Sequence, residues 1–200
     1  MNNIKEFMKE CEGIYRLKVQ FTTVYTSIFL IETEIGDLLV DAASCREDVE
    51  TCLILALAKM GKSLSDVFAI VITHGHIDHE GGLARILELA PNMKVIREAK
   101  KITDDICTYP LPGHTEDSIG LFDKRTGTLI SGDALQGAGV DQYRCNVAHK
   151  DSYIATIERI KKDEKIERIL FSHAYEPWYS DKVSGRINVC DAAEKCKEYL

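Results

Sequence analysis

Apolar positions in the first fifth of the chain fall in short runs rather than at helical spacing. IYRLKVQF (14–21), YTSIFLIET (25–33) and DLLVDAA (37–43) are rich in β-branched and aromatic residues. Thr-Thr and Ile35-Gly36-Asp37 punctuate them, which predicts three strands joined by tight turns. REDVETCLILALAKM (46–60) then reads as a helix that stops at Gly61. FAIVIT (68–73) is a continuous apolar run, the mark of a buried strand. A helix from Glu80 to Ala90 is stopped by Pro91, and KVIRE (94–98) is a strand. Further strands are expected at ICTYPL (106–111), IGLFD (119–123), TLISG (128–132) and IERILFS (166–172). Helices are expected at 151–161 and in the tail from about Lys182, while 134–150 offers no obvious element. Strands first and then alternating helices and strands suggest an α/β class with two mixed sheets and helices outside. The same pattern also fits other layered α/β folds.

Composition narrows this modestly. A chain of 200 residues suits one domain, 1–200, with a real core. At 45% hydrophobic and 28% charged residues it is globular rather than disordered. Its apolar runs fall far short of the roughly 20 residues that span a bilayer, so no membrane association is expected. The opening MNNIKEFMKECEG has no apolar core of a signal peptide, and the expected location is the cytoplasm. The seven cysteines include no C-x-x-C pair, and most of them read as small buried hydrophobes rather than a disulfide framework. The net charge of −7, with no basic stripe interleaved with aromatics, argues against a nucleic-acid partner.

Candidate chemistry is concentrated at THGHIDHEGG (73–82), which holds three of the six histidines. His74, His76 and Asp78 are spaced i, i+2, i+4, so extended backbone would point them one way and His79 another. Imidazole and carboxylate are the usual ligands of zinc and related metals. Gly75 and the Gly81-Gly82 pair permit tight backbone around them. A polar loop would explain any one of these histidines alone, but it explains the cluster poorly. The spacing is not that of H-E-x-x-H. His114 in PGHT, Asp133 in SGDA and His173 in FSH each lie at or near the end of an apolar run. Strand ends commonly converge on one rim, where sites form. Seven ligands suffice for two metals and a bridging carboxylate. His149 lies outside this set and is expected to cap a helix or face solvent.

The ordered set THGHIDHEGG, PGHT, SGDAL and a final strand-end histidine resembles the metallo-β-lactamase superfamily, from LLVDAA to FSH. The resemblance implies a four-layer αβ/βα sandwich of two mixed β-sheets flanked by helices. It implies that His74, His76 and His114 hold one divalent ion, that Asp78, His79 and His173 hold the other, and that Asp133 bridges them. Asp41 would support the site from behind its ligands. Zinc is the first expectation for both ions, with iron or manganese as alternatives. A hydroxide shared by the ions would be the nucleophile, and Asp78 would orient it and move its proton. No G-x-S-x-G occurs, in keeping with a nucleophile that is not a serine.

The bridging Asp133 resembles the glyoxalase II-like branch, which cleaves thioesters and related esters. The best-known zinc β-lactamases carry a cysteine in the second metal's shell instead. The short stretch after His173 leaves no room for the helical domain that helps bind glutathione in glyoxalase II, so a glutathione thioester is not expected. Related lactonases have a tyrosine three residues after the bridging aspartate, where this chain has Gln136. Tyr143 and Arg144, in the 134–150 stretch, and Tyr175 are candidate substrate contacts, with Trp178 a further candidate for the groove wall. The expected function is hydrolysis of an ester-like bond in a small molecule. Alternatives are an iron persulfide dioxygenase-like oxidoreductase that uses one metal and a phosphodiesterase of the same superfamily. A non-catalytic binding role is disfavoured because no ligand has been lost. Oligomeric state is not legible.

Overall fold

The computed structural model describes residues 6–200, so the first five residues of the stretch read as lacking a signal peptide lie outside it. The chain divides into two compact units, Met1–Arg97 and Glu98–Leu200. Each is a mixed sheet with helices.

The first unit is a six-stranded sheet in simple sequence order: β1 (Met8–Cys11), β2 (Ile14–Phe21), β3 (Val24–Thr33), β4 (Gly36–Val40), β5 (Val67–Val71) and β6 (Lys94–Ile96). The first four strands are antiparallel, and β4, β5 and β6 run parallel. The parallel strands require crossovers, and helices supply them. Between β4 and β5 lie α1 (Arg46–Asp48), a π-helical turn (Val49–Leu53) and α2 (Ile54–Lys59), which run on as the one helix expected there. Between β5 and β6 lie α3 (Ile77–Glu80) and α4 (Leu83–Leu89). Leu17, Ile28, Leu30, Leu39, Ile70, Leu53 and Leu57 form the centre of this unit's core. Both faces of β3 are buried, from Thr26 through Ile31. Within the sheet Arg16 is buried, paired to Glu10 at 2.7 Å and stacked over the Phe29 ring at 4.8 Å.

The second unit is a five-stranded sheet ordered β13-β12-β9-β8-β7. Its strands are β7 (Ile106–Pro110), β8 (Ile119–Asp123), β9 (Thr128–Ile130), β12 (Arg168–Tyr175) and β13 (Ser180–Ser184). Only β9 and β12 pair in parallel. The crossover between them carries α5 (Lys150–Lys162). The chain ends in α6 (Arg186–Lys195) and a 3-10 turn. Phe122, Leu129, Tyr153, Ile157, Ile169, Phe171 and Val189 are among the core residues. The segment 134–150, expected to lack regular structure, contains a two-stranded ribbon, β10 (Gly139–Val140) and β11 (Tyr143–Arg144).

Three differences from the sequence reading have a plain physical cause. β1 was not expected, because MKEC is charged and largely exposed and is held by backbone pairing to β2. The tail begins as strand β13 rather than helix, again a polar edge strand. The strand expected over 37–43 ends at Val40, because Asp41 (φ 64) and Ala43 (φ 60) turn the backbone into the left-handed region. Among the described residues no helix is long and apolar enough to cross a membrane.

Candidate functional site

In the first unit the buried run of β5 delivers Thr73 and the histidines directly after the strand. His76 is the residue before α3 and is still extended (φ −76, ψ 152), whereas Asp78 and His79 lie in the helix itself. The extended backbone expected as far as Asp78 therefore stops at His76. The helix can start there because Gly81 and Gly82 let it lie against the 42–44 backbone. A Cβ on Gly81 would sit 1.9 Å from the Ser44 carbonyl oxygen, and one on Gly82 would sit 2.1 Å from that of Ala42. Their φ values are negative, so space rather than conformational freedom demands glycine. The Ala42 N–H donates to the His79 carbonyl at 2.7 Å and ties the helix to the loop after β4.

That loop presents Asp41, which is fully buried. Its Oδ1 accepts from the Thr73 N–H at 2.8 Å. Its Oδ2 accepts from the Thr73 hydroxyl at 2.9 Å and lies 2.7 Å from His79 Nδ1. A carboxylate can only accept, so it holds the His79 proton on Nδ1 and leaves Nε2 with its lone pair. His79 Nε2 lies 3.2 Å from Asp78 Oδ2. His74 Nδ1 faces the Thr73 hydroxyl at 3.2 Å, and its Nε2 is 3.0 Å from His76 Nδ1. Two nitrogens bound to one tetrahedral zinc at roughly 2.0–2.1 Å each would lie roughly 3.3 Å apart, so this spacing suits a shared ion.

In the second unit, His114 sits in the turn after β7, Asp133 in the turn after β9, and His173 within β12 near its end. All three are buried. Asp133 has one oxygen toward each histidine: Oδ2 is 3.9 Å from His114 Nε2, and Oδ1 is 3.6 Å from His173 Nε2. One carboxylate serving two separate imidazoles is the disposition a bridging ligand needs. Gly113 is required beside His114, since a Cβ there would lie 2.5 Å from the Tyr153 backbone. His114 Nδ1 donates to the Asn146 carbonyl at 2.6 Å, which directs Nε2 toward Asp133. His173 is backed edge-on by the Tyr175 ring at 5.6 Å between centroids.

Within each unit, therefore, the donors are oxygen and imidazole nitrogen, the second ring nitrogens of His74, His79 and His114 are held by Thr73, Asp41 and Asn146, and the spacing fits divalent-metal ligation. Among the described residues, histidines and aspartates form groups able to hold a metal ion, and all seven expected ligands belong to them.

Of the residues expected to touch substrate, Tyr143 and Arg144 are exposed on β11. Tyr175 is only 1% exposed and packs with Phe171 and Trp178 in the core. His149 is exposed at the start of α5, where its N–H donates to the Gly113 carbonyl at 3.0 Å. Sequence reasoning missed Thr73, Asn146 and Gln136. Thr73 was legible as the residue between the strand and His74, whereas a lone amide such as Gln136 leaves no pattern. Burial holds the Tyr153 hydroxyl well above its ordinary pKa and pushes the Cys196 thiol to about 11. All seven cysteines are free.

Residues 21–102 match the model of the metallo-beta-lactamase superfamily. Hydroxyacylglutathione hydrolase 1 of Vibrio vulnificus is 32% identical over 123 residues, which cover 53% of this chain and 48% of that protein. The chain thus spans about half the length of this curated relative. Among solved structures, a metallo-beta-lactamase family protein from Thermus thermophilus aligns with a TM-score of 0.69 at 17% identity, covering 96% of this chain and 80% of the other. A metallo beta lactamase from Erythrobacter litoralis aligns with a TM-score of 0.68 at 20% identity, covering 96% of each chain. At these identities the structural matches establish a shared fold.

Proposed function

We propose, from the match of residues 21–102 to the metallo-beta-lactamase superfamily and the likeness to a hydroxyacylglutathione hydrolase, that the chain is a member of that superfamily and a metal-dependent hydrolase of ester-like bonds in small molecules. The observation that carries this reading is Asp133, whose two oxygens face two different histidines. Following the family's order of motifs, His74, His76 and His114 are the proposed ligands of one divalent ion. Asp78, His79 and His173 are those of a second, with Asp133 between them. Zinc is the proposed metal. A bound pair of such ions supplies the Lewis acid that polarises a carbonyl and brings the pKa of water near 7.

The remaining work falls to side chains. Asp41 keeps the His79 proton on Nδ1, so the Nε2 lone pair remains directed at the ligand position. Asn146 does the same for His114 through its carbonyl. Asp78, a carboxylate at the start of α3, orients the attacking water and takes its proton. Arg144, exposed on the ribbon, supplies a positive charge for an anionic group on the substrate, and Tyr143 an aromatic face.

Thioesters, lactones and other small esters are the proposed substrates. The Vibrio relative, named for a glutathione thioester, supports the thioester class. The proposed location is the cytoplasm, in keeping with seven free cysteines. The experiment is a panel of thioester, lactone and phosphodiester hydrolysis assays on protein reconstituted with zinc. Turnover of an ester-like member that is lost in the His76→Ala and Asp133→Ala proteins supports the reading. Phosphodiester turnover alone, or oxygen consumption with a persulfide by protein holding one iron, would replace it.

A further inference from the structure

We propose that Gln136 is a positioning residue, whose side-chain carbonyl holds Asn146 and, through the Asn146 carbonyl, fixes the His114 ring. The inference rests on the reading of His114 as a metal ligand. Gln136 is buried, and its own backbone is fixed, since its N–H donates to the Tyr153 hydroxyl at 3.2 Å. Its Oε1 accepts from the Asn146 N–H at 2.9 Å, while its Nε2 packs 2.8 Å from His114 Nδ1 without a hydrogen bond, since both are donors in this tautomer. Asn146 makes the link, because its carbonyl accepts the His114 Nδ1 proton at 2.6 Å.

The base of the ribbon is tied to the same residue. The Gly139 N–H donates to the Gln136 carbonyl at 2.9 Å, and the Cys145 N–H donates to the Ala138 carbonyl at 3.0 Å. The backbone that returns from the exposed Tyr143 and Arg144 is therefore held by the buried Gln136 carbonyl at Asn146, whose own carbonyl holds the ligand ring. Loss of the Gln136 carbonyl would leave the Asn146 N–H without its acceptor and let the Asn146 carbonyl drift from Nδ1. The ring would then lose both its orientation and the partner that keeps its proton off Nε2.

The test is zinc affinity, read by competition with a chromogenic chelator on the full chain. The Gln136→Leu protein, close in volume but without the amide, should bind one of two zinc equivalents about 10–100-fold more weakly and the other as the wild type does. Gln136→Glu keeps an acceptor for the Asn146 N–H and places a second acceptor beside the His114 Nδ1 proton. It should bind that equivalent at least as tightly as the wild type. A general packing defect would lower the melting temperature of both metal-free proteins without this opposite effect on one equivalent. Wild-type affinity for both equivalents in the Leu protein would overturn the proposal. So would tenfold weakening in the Glu protein, which decides the matter even where the Leu protein does not fold. A wild-type protein that binds no zinc would overturn the reading of His114 itself and this proposal with it. Two wild-type equivalents with an unaffected Leu protein would overturn this proposal alone.

Discussion

Asp41→Asn separates the two things the buried carboxylate does. Asp41 accepts from three groups, the Thr73 N–H, the Thr73 hydroxyl and His79 Nδ1, at 2.8, 2.9 and 2.7 Å. Truncation to alanine would orphan all three. At about 1–3 kcal/mol for each unsatisfied buried donor, the loss is about 3–9 kcal/mol, a large share of a typical domain's stability. Asparagine avoids most of this. It tolerates the positive φ of residue 41, and its carbonyl can keep the Thr73 N–H. Its NH2 then faces the Thr73 hydroxyl, which can accept, and His79 Nδ1, which can accept only with its proton moved to Nε2. Nε2–H then faces the Asp78 carboxylate, whose Oδ2 is 3.2 Å away, so a small rotation of that side chain satisfies the exchanged arrangement in the absence of metal. The expected cost in metal-free stability is about 1–2 kcal/mol for the lost charge-assisted bonds, a fall in melting temperature of roughly 2–8 °C. Metal binding should suffer more selectively: the equivalent that needs the Nε2 lone pair weakens about 10–100-fold, and the other is retained. Thermal unfolding with excess chelator gives the first quantity, and zinc competition gives the second. An Asp41→Asn protein that binds two equivalents with wild-type affinity would refute the argument from the proton on His79.

Other consequences follow from the same structure. His76→Ala and Asp133→Ala should lower zinc content and abolish hydrolysis while leaving the far-UV circular dichroism unchanged; full activity in the Asp133→Ala protein would remove the bridging role. Glu10→Ala leaves the Arg16 guanidinium buried beside Phe29 without its carboxylate and should cost about 3–5 kcal/mol in denaturant unfolding, whereas a change below about 1 kcal/mol would show that Arg16 finds water. Burial pushes the Tyr109 hydroxyl up to about 12 from its ordinary 10.0, with the nearby Asp163 adding to the shift. Below pH 10 both folded and unfolded chains keep this proton; between 10 and 12 only the unfolded chain loses it, so stability falls as pH rises through that window. Tyr109→Phe should flatten this alkaline decline in unfolding free energy, and a slope parallel to the wild type would count against it.

Strands whose side chains are buried on both faces, such as β3 and β5, announced themselves as continuous apolar runs. Edge strands did not. β1 and β13 are polar and are recruited by backbone hydrogen bonding to a neighbour that only the folded sheet supplies. The helix α3 is four residues long, too short for a period, and it owes its start to the backbone clearance that Gly81 and Gly82 provide. The seven candidate ligands were legible because their residue types are scarce and their spacing is ordered. Asp41 was legible only through resemblance, since nothing in LLVDAA shows that its carboxylate turns back onto Thr73 and His79. Gln136 and Asn146 were not legible at all, because an amide acts here by contact across ten positions rather than by pattern.

The central claim is a pair of metal ions held by seven named side chains. Elemental analysis of protein purified without added metal, and again after reconstitution with zinc, tests it most directly. The account predicts two zinc or zinc-like ions per chain, falling in the His76→Ala and Asp133→Ala proteins. No metal even after reconstitution would contradict it, and a single iron would move the oxygen-dependent alternative to first place.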